Sequence, residues 1–397
     1  MPTVPSLLLA DATLLDPEAA APARGSLLVE AGRIVARLPA GAPGPADARR
    51  VELAGASLGP GLLDLHHHGE LVLRPAQDAV AAVQAASASL VRHGVTGFLP
   101  TTLAWPAPEL AARVEAIADA LAGARWPGAE PLGIHLEGPW IRPEAAGAQP
   151  AAGIRPCDPA EARALLERAD GWVRLVTFAP EVEGSAWLLG ELERRGVVSA
   201  IGHTLASPLQ IGAAAAGGAR HATHLFNAMG PLHQRGPGVA ASVLAEDRLS
   251  CDVIADGAHV HPAWLRVAAR VKGERLLLVT DRIDPPAGGA AWPDGSPLTS
   301  DGVAWRLPDG TLAGSHLALH DALRNCIRWR IMTQLDALRA STHAPARLLG
   351  VEGERGTLRA GSRADLVLWT ADGEPLATWV AGRLVHQASG APPDLPA

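Results

Sequence analysis

Lysine is almost missing from this chain. A single one, Lys272, occurs in 397 residues, and tyrosine does not occur at all. The positive charge is carried by arginines scattered along the chain, and the formal net charge is −7. Without a clustered basic face there is no electrostatic footprint for nucleic acid. Cysteine is scarce as well. Cys157, Cys251 and Cys326 are widely spaced and odd in number, which excludes a disulfide frame or a paired-cysteine zinc site and suits a reducing cytosol, so a cytoplasmic protein is expected. Long apolar runs are also lacking. No segment reaches about 18 uninterrupted apolar residues, and no basic stretch leads into an apolar one at the start, so neither a membrane span nor an export signal is expected. The surfeit of Ala, Arg and Pro beside the missing Tyr reads as coding bias.

What is present has a rhythm. Residues 3–58 read as short strands and turns (Ser6-Ala10, Gly25-Glu30, Arg33-Leu38), followed by a Gly/Pro/Ala-rich loop. From Leu58 onward, apolar runs alternate with Ala/Leu-rich helical segments. Eight runs are counted: Gly61-Leu65, Gly97-Leu103, Leu132-Leu136, Val173-Ala179, Val197-Ile201, His221-Phe226, Cys251-Ala255 and Leu276-Thr280. This predicts an α/β fold, a TIM (β/α)8 barrel over residues 59–345, with a doubly wound sheet as the alternative. The tail runs Gly356-Leu358, Ala364-Leu368, Ala377-Val380 and Arg383-His386 are β again. They are expected to join residues 1–58 in a small β-sandwich-like domain made of 1–58 and 346–397. The barrel is favoured because nearly every run ends in His, Glu, Asp or Thr before a loop, and barrel active sites are built at those strand ends.

Those endings carry the candidate chemistry. Alternation along Asp64-Leu65-His66-His67-His68 points His66 and His68 the same way, a plausible ligand pair for a borderline divalent ion. Glu137 ends the run in Ile134-His135-Leu136-Glu137-Gly138-Pro139-Trp140, and His203 and His224 end two others. Converging from different strands, they make a mixed N/O set of the kind a catalytic metal uses, and an ion there would acidify water and polarise a carbonyl oxygen. Asp281 ends the eighth run, where it either caps the next segment or moves a proton. His259 ends the seventh and would line the same mouth. Lys272, in the turn Val271-Lys272-Gly273, lies away from that mouth, which excludes a bridging carboxylated lysine. If two ions bind, Glu137 is the available bridge.

At this point the residues resemble a known family, the N-acetylglucosamine-6-phosphate deacetylases of the amidohydrolase superfamily. The resemblance runs from Pro60-Gly61-Leu62-Leu63-Asp64 with His66 and His68, through His135-Leu136-Glu137-Gly138-Pro139, Gly202-His203-Thr204, Thr223-His224-Leu225-Phe226-Asn227-Ala228-Met229, Asp256-Gly257-Ala258-His259-Val260 and Val279-Thr280-Asp281, to Gly310-Thr311-Leu312-Ala313-Gly314-Ser315 and Arg363-Ala364-Asp365-Leu366. It implies a divalent metal, zinc or iron, one or two ions per subunit, held by Glu137, His203 and His224, with His66 and His68 forming a second site. It further implies Asp281 as general base and then acid. His259, the Asn227-Ala228 backbone and Arg235 would receive an amino-sugar phosphate, with Arg235 crossing from the neighbouring subunit of a homodimer.

Three departures from the family pattern stand out. Gln149 falls where a histidine would meet the substrate and help polarise the acetyl carbonyl; Gly236 follows Arg235 where Glu is typical; and Arg282-Ile283-Asp284-Pro285-Pro286 follows Asp281. Arg282 either touches an anionic substrate or pairs with Asp284. The leading expectation is metal-dependent hydrolysis of the N-acetyl group of N-acetylglucosamine 6-phosphate. The alternatives are an amidohydrolase acting on an unphosphorylated or different N-acyl sugar or a cyclic amide, and a catalytically dead barrel used as a scaffold.

Overall fold

Turn chemistry at the two chain ends sets up the first sheet. Leu7–Leu14 pairs antiparallel with Ala23–Glu30, which pairs antiparallel with Arg33–Pro39. The last two are joined by Ala31-Gly32, both left-handed at φ 47° and 78°, as a tight hairpin requires. A side chain at Gly32 would come within 2.7 Å of the Ala381 carbonyl, so this turn also fixes the approach of the C-terminal strands. The computed structural model describes residues 6–285, 291–392 and 395; Pro286 and the extreme ends of both terminal segments lie outside them.

Strands from both ends form a single eight-stranded mixed sheet with its own apolar cluster, including Leu9, Leu27, Leu58, Leu366 and Trp379. Two of its strands, Arg49–Glu52 and Ser57–Pro60, were not expected from the sequence. They pair parallel with the first strand, and their short, half-polar sequences carry no alternation to reveal it. Gly356-Leu358, expected as a strand, is irregular.

The eight apolar runs all appear as parallel strands: β1 (Leu62–Gly69), β2 (Val95–Pro100), β3 (Ile134–Glu137), β4 (Val173–Phe178), β5 (Val198–Ile201), β6 (His221–Ala222), β7 (Cys251–Ile254) and β8 (Leu276–Val279). Helices stand between most of them, including Ala107–Gly123 and Pro208–Ala216, the latter started by a Ser207–Gln210 capping box. Helix Gly238–Ala245 was not expected from the sequence. Parallel ladders join β1 to β2, β3 through β6, and β7 to β8. At the remaining joints the contact thins. One bridge, Thr101 to His135, links the ends of β2 and β3. The Leu225 amide donates to the Asp252 carbonyl between β6 and β7, and the Asp281 amide donates to the His66 carbonyl between β8 and β1. Two-residue strands carry the pairing on at two of these joints, Glu130–Pro131 beside β2 and Arg282–Ile283 beside β1, and the ladder is interrupted between β6 and β7. At two of these joints the chain leaves its strand early, because His224 and Asp281 turn it at positive φ.

Lys272 is the last residue of helix Pro262–Lys272, buried, with Nζ donating to the carbonyls of Glu246 and Leu249 on the side where β7 and β8 begin. No helix among the described residues is long and apolar enough to cross a membrane.

An ion-pair network ties the terminal sheet to the parallel strands. Arg355 binds Asp365 at 2.6 Å and Glu130, and Arg363 binds the same two carboxylates. Arg355 and Asp365 are 5% and 4% exposed, so removing the Arg355 guanidinium leaves the buried carboxylate with Arg363 as its remaining cationic partner. Arg355→Ala should cost roughly 2 kcal/mol of stability, read as a lowered denaturant midpoint, and a loss under about 0.5 kcal/mol would refute this role.

Candidate metal centre

The candidate ligands lie in the C-terminal halves of their strands or just beyond them. Glu137 closes β3, and His66 and His68 occupy the last turns of β1. His203, His224 and Asp281 follow β5, β6 and β8 at φ 48°, 32° and 48°, a left-handed conformation that costs a non-glycine residue about 1–3 kcal/mol. Three strained residues at one mouth suggest a site worth that cost.

The side chains converge tightly. Glu137 Oε1 lies 3.0 Å from His224 Nε2, 3.2 Å from His203 Nε2 and 3.4 Å from His66 Nε2, while its Oε2 lies 3.4 Å from His68 Nε2. Asp281 Oδ1 is 3.2 Å from His68 Nε2 and 3.4 Å from His66 Nε2. Two groups with metal-ligand chemistry result, Glu137/His203/His224 and His66/His68/Asp281.

Hydrogen bonds from behind decide what these rings present. His68 Nδ1 faces the Thr101 carbonyl at 3.0 Å and His203 Nδ1 faces the Ala145 carbonyl at 2.9 Å. A carbonyl only accepts, so each Nδ1 carries the proton, and in the neutral ring Nε2 turns a lone pair into the site. Yet His66 and His68 Nε2 are 3.2 Å apart, and His203 and His224 Nε2 are 3.0 Å apart. Imidazole lone pairs and carboxylate oxygens packed this closely need positive charge among them, and the N₂O composition of each group suits a divalent ion such as zinc or iron. The acidities report the same demand. Burial opposes charge on His68, but hydrogen bonds to Asp281 and Glu137 outweigh it and push the ring up to about 10. Burial works against the Glu137 and Asp281 anions too, and neighbouring histidines nonetheless hold both below the usual carboxylate range.

A supporting layer surrounds the ligands. Asp64, pushed up to about 6 by burial, accepts from the Thr280 hydroxyl at 2.6 Å and so ties β1 to the strand end that carries Asp281. His135 stacks edge-on against His66 at 4.7 Å and reaches Thr177 Oγ1 at 2.8 Å. Asp252 accepts from the His224 amide and lies 2.8 Å from His221 Nε2. The sequence reading passed over Asp252, although a carboxylate inside the apolar run Cys251–Ile254 is a legible signal that something polar faces it.

A cleft of about 220 Å³ opens above the ligands, lined by His68, Glu137, His203, His224 and Asp281 and also by Gln149, Asn227, Ala228 and His259. His259 Nδ1 is fixed by Asp256 at 2.6 Å. Trp292 and the Thr311–Gly314 segment complete the wall, contributions not expected from the sequence. Gln149 lines the cleft with its side-chain amide already held between the Ala104 N–H and Glu137. Arg235 is exposed on the turn from His233 to Gly236 and does not line the cleft. Arg282 pairs with Asp284 at 2.7 Å and donates to the His316 carbonyl.

Comparison with known proteins agrees with this geometry. The Amidohydrolase family matches residues 58–385. A Bacillus subtilis (strain 168) protein named N-acetylglucosamine-6-phosphate deacetylase is 35% identical over 82% of this chain and 83% of its own length. An Escherichia coli O157:H7 protein named N-acetylgalactosamine-6-phosphate deacetylase is 33% identical over 82% and 86%. The crystal structure of N-acetylglucosamine-6-phosphate deacetylase from Pasteurella multocida superposes with a TM-score of 0.88 at 26% identity, covering 96% of this chain and 99% of that one.

An ion bound only by the folded state stabilises it by mass action. Zinc at about 100 times its dissociation constant should add about 2.7 kcal/mol over the chelator-treated protein, seen as a raised thermal midpoint. An unchanged midpoint would count against the centre.

Proposed function

The chain belongs to the amidohydrolase family, and we propose that it hydrolyses the N-acetyl group of N-acetylglucosamine 6-phosphate, giving acetate and glucosamine 6-phosphate in amino-sugar catabolism. The observation that carries this is the convergence of Glu137, His203, His224 and Asp281 at the floor of one cleft. Glu137, His203 and His224 hold the ion, and His66 with His68 offers a second position, so that one or two ions, zinc or iron, are bound per subunit. When bound, the ion supplies Lewis acidity toward the acetyl carbonyl and a lowered pKa for water.

The remaining work falls to the chain's own side chains. Asp281 is anionic and lines the cleft, placed to take a proton from the attacking water and to deliver it to the departing amine nitrogen. His259, steadied by Asp256, and the Asn227-Ala228 backbone receive the sugar. Arg235 meets the 6-phosphate from the neighbouring subunit of a homodimer, which accounts for its place outside the cleft of its own chain. The parallel strands form a (β/α)8 barrel over residues 59–345, and 1–58 with 346–397 form the small β domain. The protein acts in the cytoplasm.

A second reading has a specific observation behind it. The Escherichia coli relative is named for the galactose epimer, so the C4 configuration of the sugar is open. Acetate release from N-acetylglucosamine 6-phosphate, N-acetylgalactosamine 6-phosphate and unphosphorylated N-acetylglucosamine separates these. A charge-assisted phosphate contact predicts kcat/KM at least roughly tenfold higher with the 6-phosphate than without, and equal values would remove the phosphate assignment. Asp281→Asn should lower kcat by roughly 10²–10⁴-fold, the range for a general acid–base, with KM little changed. A variant at full rate would take the proton-transfer role away from this residue.

A further inference from the structure

We infer that Gln149 is a positioning residue for Glu137, holding one carboxylate oxygen so that the other faces His203 and His224. The inference rests on the ligand set proposed above. Gln149 Oε1 accepts from the Ala104 backbone N–H at 2.7 Å. A backbone N–H only donates, so the amide oxygen must be the end turned toward Ala104, and the NH₂ group is thereby turned to Glu137 Oε2, 2.6 Å away. Hydrogen-bond chemistry fixes the orientation, which makes Gln149 a donor to the carboxylate.

At 8% exposure, with its oxygen on Ala104 and its nitrogen on Glu137, the side chain has its polar groups engaged before any substrate arrives. The loop that carries it is built for the same purpose. The Ala145 carbonyl accepts from His203 Nδ1, the Gln149 backbone N–H donates to the Ala146 carbonyl, and the Trp292 indole N–H donates to the Ala148 carbonyl at 2.7 Å. One segment, residues 145–149, thus orients two of the three side chains in the Glu137 group. An uncharged donor on Oε2 leaves Oε1 as the oxygen nearest His203 and His224. Partners of this kind behind a metal ligand typically contribute 10–100-fold to metal affinity.

The test compares zinc affinity in wild type and Gln149→Met by competition with a chromophoric chelator, alongside kcat and KM at saturating zinc and the unfolding midpoint in chelator. The expected result is zinc binding weakened by roughly 10–100-fold, with KM nearly unchanged at saturating zinc and the chelated midpoint preserved. Unchanged zinc affinity with a raised KM would make Gln149 a substrate contact and overturn the inference. Wild-type protein that binds no zinc would remove the ligand set itself, and the inference with it. Gln149→Leu gives the same comparison if the Met variant does not fold.

Discussion

A single buried carboxylate sets the terms for this molecule. Glu137 is 2% exposed, and its two oxygens lie within 3.4 Å of imidazole nitrogens from three different strand ends. An isolated anion so far from water would be costly, so its presence requires positive charge to be brought to it from several directions. Parallel strands in sequence order meet that requirement, because their C-terminal ends face one mouth and each can deliver one polar residue without burying a loop. The apolar cluster that spans the strands and their helices keeps those ends in place, and the terminal sheet is fastened to it through Arg355 and Asp365.

The histidines are directed from behind as much as from in front. Backbone carbonyls at Thr101 and Ala145 set the protonated nitrogen of His68 and His203, and the carboxylate of Asp252 anchors the backbone of His224. These partners come from loops and neighbouring strands distant in sequence, so the ligand geometry depends on the whole arrangement being folded. Left-handed backbone at His203, His224 and Asp281 belongs to the same economy: each turn aims a side chain back over the mouth at a local cost borne by the packed strands beneath.

Much of this was legible in the sequence. Apolar runs that end in a polar residue located all eight parallel strands, and the polar endings at Glu137, His203, His224 and Asp281 do meet at one cleft. What escaped was of two kinds. Strands Arg49–Glu52 and Ser57–Pro60 and helix Gly238–Ala245 are short, and their residues acquire a face only from the sheet or helices beside them. Gln149 escaped for another reason. Its position predicted a role at the cleft, but the direction of its amide is set by the Ala104 N–H, 45 residues away in the chain. Arg282 similarly had two readings, and only the fold places Asp284 and the His316 carbonyl around it. The interrupted ladder at β6–β7 shows the same limit, since pairing there is decided by where the chain turns away at His224.

The buried position of Lys272 has a consequence for the surface as a whole. With the one lysine 2% exposed, tyrosine absent and all three thiols buried and raised to about 12, every basic side chain left on the outside is an arginine or a histidine. Between the imidazole range and the guanidinium range, no side chain on the surface gains or loses a proton. The surface side chains therefore hold a nearly constant charge across that interval, a property that lysine- and tyrosine-bearing surfaces do not have.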